Sequence, residues 1–290
     1  MSLSLPTPTV ERARPLLGTT VVIRVEGEDD SAHVHAAISK AFDAVAQVHG
    51  LMSFHEPASD LSRLNRAPIG VRVEVGEETL AVLRVALKLA ELTDGVFDIT
   101  IGAQLVERGL LPLPRESGAP DAAATWRDIE LLDDGVRLHR SMWMDLGGIA
   151  KGYAVDQAVL ALRAAGIAHA CVDAGGDLRT MGDGPHRVAI RSGLSADHVA
   201  VIELGEAAIA TSTGRAFAHQ GVHLDGRNRS DTGLERCASV VSADCIHADA
   251  LTKVVLALGD QSSPILRHYG ATAYLQDSAA QWTVLGERPS

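Results

Sequence analysis

Apolar residues at Val34, Ile38, Ala41, Phe42, Val45 and Val48 recur at helical spacing, which predicts a helix over residues 31–49 with Gly50 as its stop. Before it, the β-branched run Thr19 to Val25 reads as an opening strand. The polar stretch 53–66 reads as a loop. A second helix is expected from Glu77 to Thr93, with Leu80, Leu83, Leu87 and Ala90 on one stripe and Gly95 ending it. Residues 112–124, rich in Pro, Gly and Ala, form the most linker-like part of the chain. Strand signals resume soon after, at Val136–Leu138 and Met142–Leu146, so this part reads as a surface insertion and not a domain boundary. Ile149 to Ala165 then reads as a helix closed by Gly166.

The second half alternates short β-rich runs with glycine turns: 170–174, 187–191, 199–204, 208–211 and 238–243. A helix from about His247 to Leu258 and strands at 271–276 and 281–285 follow. Hairpin-like strands with interspersed helices and no internal repeat point to an α+β fold. One mixed domain over 1–290, mostly antiparallel, is expected.

Composition changes this picture only in places. Aromatic residues make up 3% of the chain, so the core must be built from Ala, Val, Leu and Ile. No run of eighteen apolar residues exists, and no transmembrane segment is expected. A net charge of −11 argues against nucleic-acid binding, which needs a basic face. Cys171, Cys237 and Cys245 are odd in number and far apart, matching neither a disulfide framework nor a zinc site. The N-terminus lacks a signal-peptide pattern, so the sequence as written implies the cytoplasm. A periplasmic location is implied instead if Met1-Ser2-Leu3 replaces a removed leader.

Five segments hold candidate chemistry. In 145-DLGGIAKGYAVD-156 two glycines turn the chain into a helix whose free N–H groups favour phosphate, and Lys151 adds a positive charge in the first turn. The pair of glycines in 173-DAGGDL-178 is an ordinary turn signal. In 94-DGVFDIT-100, Phe97 and Asp98 follow a helix directly, and Phe97 alone reads as a core plug. In 248-ADALTK-253, Asp249 and Thr252 are three apart at a helix start. That suits either a hard cation or a helix cap, and the cap is the commoner use. The polar loop 211–229 holds His219 and His223, either of which suits a general base near neutral pH.

Taken in order, these segments resemble the FAD:protein FMN transferase (ApbE) family. The resemblance runs from 17-LGTT-20 through 52-MSFHEPASDLSRLN-65, 95-GVFD-98, 145-DLGGIAKGYAVD-156, 173-DAGGDL-178 and 210-ATSTGRAF-217 to 248-ADAL-251. It implies that FMN is transferred from FAD to a Thr or Ser hydroxyl of an acceptor flavoprotein or redox-complex subunit, with release of AMP and with Mg2+. The same scaffold would also serve an FAD pyrophosphatase or a non-catalytic flavin-binding protein. By resemblance the FAD site draws on Leu17, Phe54, Val96, Phe97, Asp98, Asp145, Lys151 and Leu224, with a Ser and an Asn of 52–65 near the flavin. The metal lies among Gly148, Asp249 and Thr252, Asp249 also serving catalysis, and His223 is the candidate base. The chain departs from the family pattern at Leu17 (usually Met) and in the wording around His223. It departs again at Lys253, which stands where a Thr ligand is usual, with Thr252 one place earlier. A protonated lysine cannot ligate a cation.

Overall fold

The computed structural model describes residues 8–27, 31–114, 117–191, 199–214, 223–233 and 235–286. The chain opens on a hairpin of β1 (Thr9–Leu16) and β2 (Thr19–Glu26). Leu17 and Gly18 join the strands at φ 56° and 72°. Two consecutive positive φ values suit the twist of a two-residue hairpin, but a leucine there is costly. β1 carries no core alternation beyond Val10, and its sequence gives no strand signal.

Helix α1 (Ala32–Met52) starts at Ser31, whose hydroxyl accepts the Val34 N–H at 3.3 Å. It runs through Gly50, the expected stop, because buried Met52 continues the apolar stripe and gives the extra turn something to pack. The expected loop 53–66 contains a short helix, α2 (Asp60–Leu64), capped by Ser59. After β3 (Arg72–Glu74) comes α3 (Glu77–Leu92), close to its expected span, with Gly95 at φ 82° just beyond. α4 (Gly102–Glu107) was not signalled by the sequence. Residues 112–114 and 117–124 form neither helix nor strand. β4 (Ile129–Leu131) and β5 (Gly135–Leu138) complete a small sheet with β3.

Residues 142–146 are not the strand their apolar run suggests. Met142, Trp143, Met144 and Leu146 are buried, but the segment's backbone bonds to a side chain and to the helical turn at 99–102 instead of a ladder. The Asn65 amide accepts from the Met144 N–H at 2.7 Å and donates to its carbonyl at 2.9 Å. The Asp145 N–H reaches the Ile99 carbonyl, and the Trp143 carbonyl accepts from Gly102. This segment leads into α5 (Ala150–Ala164), which Gly166 ends at φ 82°.

From there β6 (Ala170–Ala174) and β7 (Asp177–Met181) form a hairpin about Gly175 and Gly176. β8 (His186–Arg191) pairs with β9 (Val199–Leu204). β10 (Ala208–Thr213), β11 (His223–Asp225), β12 (Ser230–Thr232) and β13 (Cys237–Ser242) follow. α6 (Cys245–Leu258), α7 (Ser263–His268), β14 (Thr272–Gln276) and β15 (Trp282–Gly286) close the chain. The main sheet has the order β1-β2-β6-β7-β10-β13-β14-β15, and every pairing in it is antiparallel. The expected α+β class with antiparallel pairing is what forms.

Helices α1, α5 and α6 pack together and contact the sheet, and the main core lies between them. It is built of small aliphatic residues such as Ala150, Ala154, Ala158, Ala248 and Val255, as the scarcity of aromatics requires. Small residues let helices approach closely. At Gly152 of α5 an added Cβ would lie 2.6 Å from the Cys245 carbonyl carbon and 2.9 Å from the Asp249 Cβ. That contact sets the spacing of α5 and α6, and with it the floor of the site. Period-two alternation sends Ala210 and Val240 into this core, and Ile209 and Val241 into a smaller one beneath the β8–β9 hairpin.

Candidate active site

A cavity of about 620 Å³ opens where the β1–β2 turn, the end of α1, the 96–101 segment, the start of α5 and the start of β11 meet. That volume suits a small-molecule ligand. Part of its lining is apolar: Leu17, held there by its strained turn, half-buried Phe54, Val96, Phe97 and Leu224. The charged part is Asp145, Lys151, His223 and Lys253, with Gly148 and Ser212 also lining the cavity and the Phe97 ring close to Gly148 and Lys253. All eight residues expected around FAD therefore line one cavity, and Gly148 and His223 line it with them.

Their roles differ. Asp98 is spent on structure. Its carboxylate accepts the Thr100 N–H at 2.9 Å and hydroxyl at 2.8 Å, and the Arg229 guanidinium at 3.2 Å. Burial still pushes its carboxyl above the usual range, against the pull of Arg229. Asn65, expected near the flavin, instead clamps the Met144 backbone and does not line the cavity. Asp145 accepts the Gly147 N–H at 3.2 Å, and burial raises its carboxyl.

Under the charged part lies a cluster of two lysines and two buried aspartates. Lys151, one residue into α5, pairs with Asp177 at the start of β7 and stands 3.7 Å from Asp249. Burial pulls its ammonium down, but Asp177 and Asp249 together outweigh burial and hold it above its ordinary value. Asp249, on the second turn of α6, does not cap its own helix; its Oδ2 accepts the N–H of Gly152 in the first turn of α5 at 3.1 Å. Burial pushes its carboxyl up, yet Lys151 and Lys253 bring it below the usual range, so it stays ionised. Asp177 goes the other way, raised by burial and by Asp249 against the pull of Lys151. His223 is lowered from 6.5 to about 4, first by burial and then by Lys253, so its ring is neutral near pH 7.

The three expected metal ligands are not brought together. The Thr252 hydroxyl donates to the Asp249 carbonyl at 2.7 Å and shares a 2.8 Å hydrogen bond with the Ser212 hydroxyl, so it turns away from the carboxylate. Asp249 Oδ1 carries the Lys253 ammonium, which also donates to the Asp249 carbonyl at 3.0 Å. The lysine stem crosses Gly148, its Cε 3.4 Å from where a Cβ would stand. The space between Gly148 and Asp249 thus holds an ammonium, and this donor set does not fit a divalent cation. No group of three or more His, Cys, Asp or Glu suited to a metal exists among the described residues.

Sequence reasoning missed Asp177, Gly152 and Ser212. Asp177 sits inside the 173–178 motif, where it reads as one more polar turn residue, and only the fold puts it beneath Lys151. His219 and residues 215–217 lie outside the described residues. No described helix is long and apolar enough to cross a membrane.

The model of a family described as the ApbE family matches residues 17–275. An FAD:protein FMN transferase of Vibrio cholerae is 31% identical over 282 residues, covering 88% of this chain and 83% of that protein. The solved flavin transferase ApbE from Vibrio cholerae superposes with a TM-score of 0.81 at 22% identity, covering 96% of this chain and 97% of that one. The apo flavinyl transferase ApbE of Pseudomonas stutzeri gives 0.82 at 20% identity, with both chains fully covered.

Proposed function

Since the chain belongs to the ApbE family, we propose that it transfers FMN from FAD to a Thr or Ser hydroxyl of an acceptor protein and releases AMP. The observation that carries this reading is the mixed lining of the cavity: apolar and aromatic side chains share it with two lysines and a neutral histidine. The apolar lining of Leu17, Phe54, Val96, Phe97 and Leu224 suits a flat isoalloxazine. The two lysines suit a pyrophosphate, whose charge they would meet directly.

The reaction is a phosphoryl-type transfer, so positioning and charge stabilisation supply most of the catalysis. The acceptor oxygen attacks the FMN-side phosphorus, a new P–O bond forms, and the P–O bond to AMP breaks with its electron pair leaving on AMP. The hydroxyl proton goes to the His223 ring. The protein's own surroundings make that ring a weak base, because burial and Lys253 hold it low. The negative charge of a bound pyrophosphate raises it toward the operating pH, so the base strengthens when substrate is present. Lys151 and Lys253 meet the charge that builds on the phosphoryl oxygens. The Mg2+ that the resemblance implies has no free ligand set here, because Lys253 occupies Asp249 and Thr252 is bonded to Ser212. The acceptor is a flavoprotein or redox-complex subunit carrying the target Thr or Ser.

Chromatography of the nucleotides tests this reading. AMP should appear only when FAD and a hydroxyl-bearing acceptor are both present. Free FMN and AMP in the absence of acceptor would replace transfer by hydrolysis, and unchanged FAD would leave a binding role alone.

A further inference from the structure

The cluster at the cavity floor is balanced in charge without any bound ion. Asp177 and Asp249 contribute two negative charges, Lys151 and Lys253 two positive ones, and each lysine sits on a carboxylate. Both lysines line the cavity, but Lys253 comes from α6 and its stem crosses Gly148, while Asp249 beneath it is wholly buried. Its ammonium donates to both the Asp249 carboxylate and the Asp249 carbonyl, so two acceptors on one residue fix its position. A divalent cation placed against Asp249 would have to displace this ammonium and then face Lys151, 3.7 Å from the same carboxylate. An oxyanion approaching from the cavity meets Lys253 directly.

We propose that Lys253 is the built-in cation of this site, so that its ammonium takes the place of a divalent ion against the pyrophosphate and the chain works without metal. The catalytic half of this inference rests on the transfer reaction above; the site half does not. Lys253→Thr should undo the arrangement, freeing Asp249 Oδ1 and placing a hydroxyl one helical turn along the same face.

Two measurements test it together. The first is titration of Mn2+ followed by its electron paramagnetic resonance, with FAD present. The wild type should leave Mn2+ free, while Lys253→Thr should bind one equivalent that Mg2+ displaces. The second is the rate of FMN transfer. In the wild type it should agree within about twofold between EDTA and Mg2+. In Lys253→Met it should fall about a hundredfold, with no rescue by Mg2+. In Lys253→Thr it should be low in EDTA and rise at least about tenfold with Mg2+. One equivalent of Mn2+ on the wild type, or loss of wild-type transfer in EDTA, would overturn the proposal. If Lys253→Thr does not fold, the wild-type titration still decides. If no transfer occurs under any condition and the wild type still leaves Mn2+ free, the transfer reading fails while the lysine-filled site stands.

Discussion

Two glycine-to-alanine substitutions, identical in chemistry, should have opposite effects because of what surrounds each. Gly152 lies where α5 meets α6. A Cβ there would stand 2.6 Å from the Cys245 carbonyl carbon and 2.9 Å from the Asp249 Cβ, and closer still to the Cys245 oxygen. Ordinary contact requires the helices to part by roughly 1 Å, and the obstacle is backbone, which cannot rotate away. Overpacking of this kind costs about 1–3 kcal/mol. Parting the helices also stretches the bond from the Gly152 N–H to ionised Asp249, worth about 1.5–3 kcal/mol for a charged acceptor. Gly152→Ala should therefore lose about 2.5–6 kcal/mol and weaken the hold on Asp249. Gly50, within α1, is exposed, with nothing within 4 Å of an added Cβ. Gly50→Ala should gain about 0.5–1 kcal/mol from helix propensity. Urea unfolding at pH 7 would read both. Gly152→Ala within about 1 kcal/mol of the wild type would refute the close-packing account of the site floor.

His223 is lowered from 6.5 to about 4, so the unfolded chain takes a proton that the folded one refuses. Its contribution is fully present above 6.5, is lost as pH falls toward 4, and is constant below; His223→Gln should flatten that part of the acid slope in pH-dependent urea unfolding. Asn65→Ala leaves the Met144 N–H and carbonyl unpaired in the core, and should cost about 2 kcal/mol by the same assay. Asp156→Ala strips Arg179 of a buried partner and the Cys245 and Ile246 N–H groups of their cap, which should cost about 3–5 kcal/mol. Phe54→Ala removes a half-buried part of the cavity lining that packs against the main core, and should weaken FAD binding about tenfold in a fluorescence titration while costing roughly 1–2 kcal/mol of stability.

What the sequence made legible follows from which signals are local. Helices α1, α3 and α5 were readable because their stripes repeat over several turns and Gly95 and Gly166 mark the ends of two of them. The run 142–146 misled because burial, not strand pairing, makes it apolar; its hydrogen-bond partner is the Asn65 side chain, far away in the sequence. β1 was invisible because its alternate residues face solvent on an edge strand. The site split in the same way. Leu17, Phe54, Val96, Phe97, Lys151 and Leu224 belong to recognisable local wording, and the fold gathers them in one cavity. The pairing of Lys151 with Asp177, the closure of Gly152 on α6 and the turning of Thr252 toward Ser212 are long-range. Lys253 was conspicuous as a departure, but only the geometry shows its ammonium lodged on Asp249 beside Gly148.

The transfer itself is tested most directly by the intact mass of a threonine-bearing acceptor peptide after incubation with the protein and FAD. The account predicts a peptide heavier by FMN less water, carrying the flavin on its threonine, with one AMP released for each. An unmodified peptide beside intact FAD would contradict it.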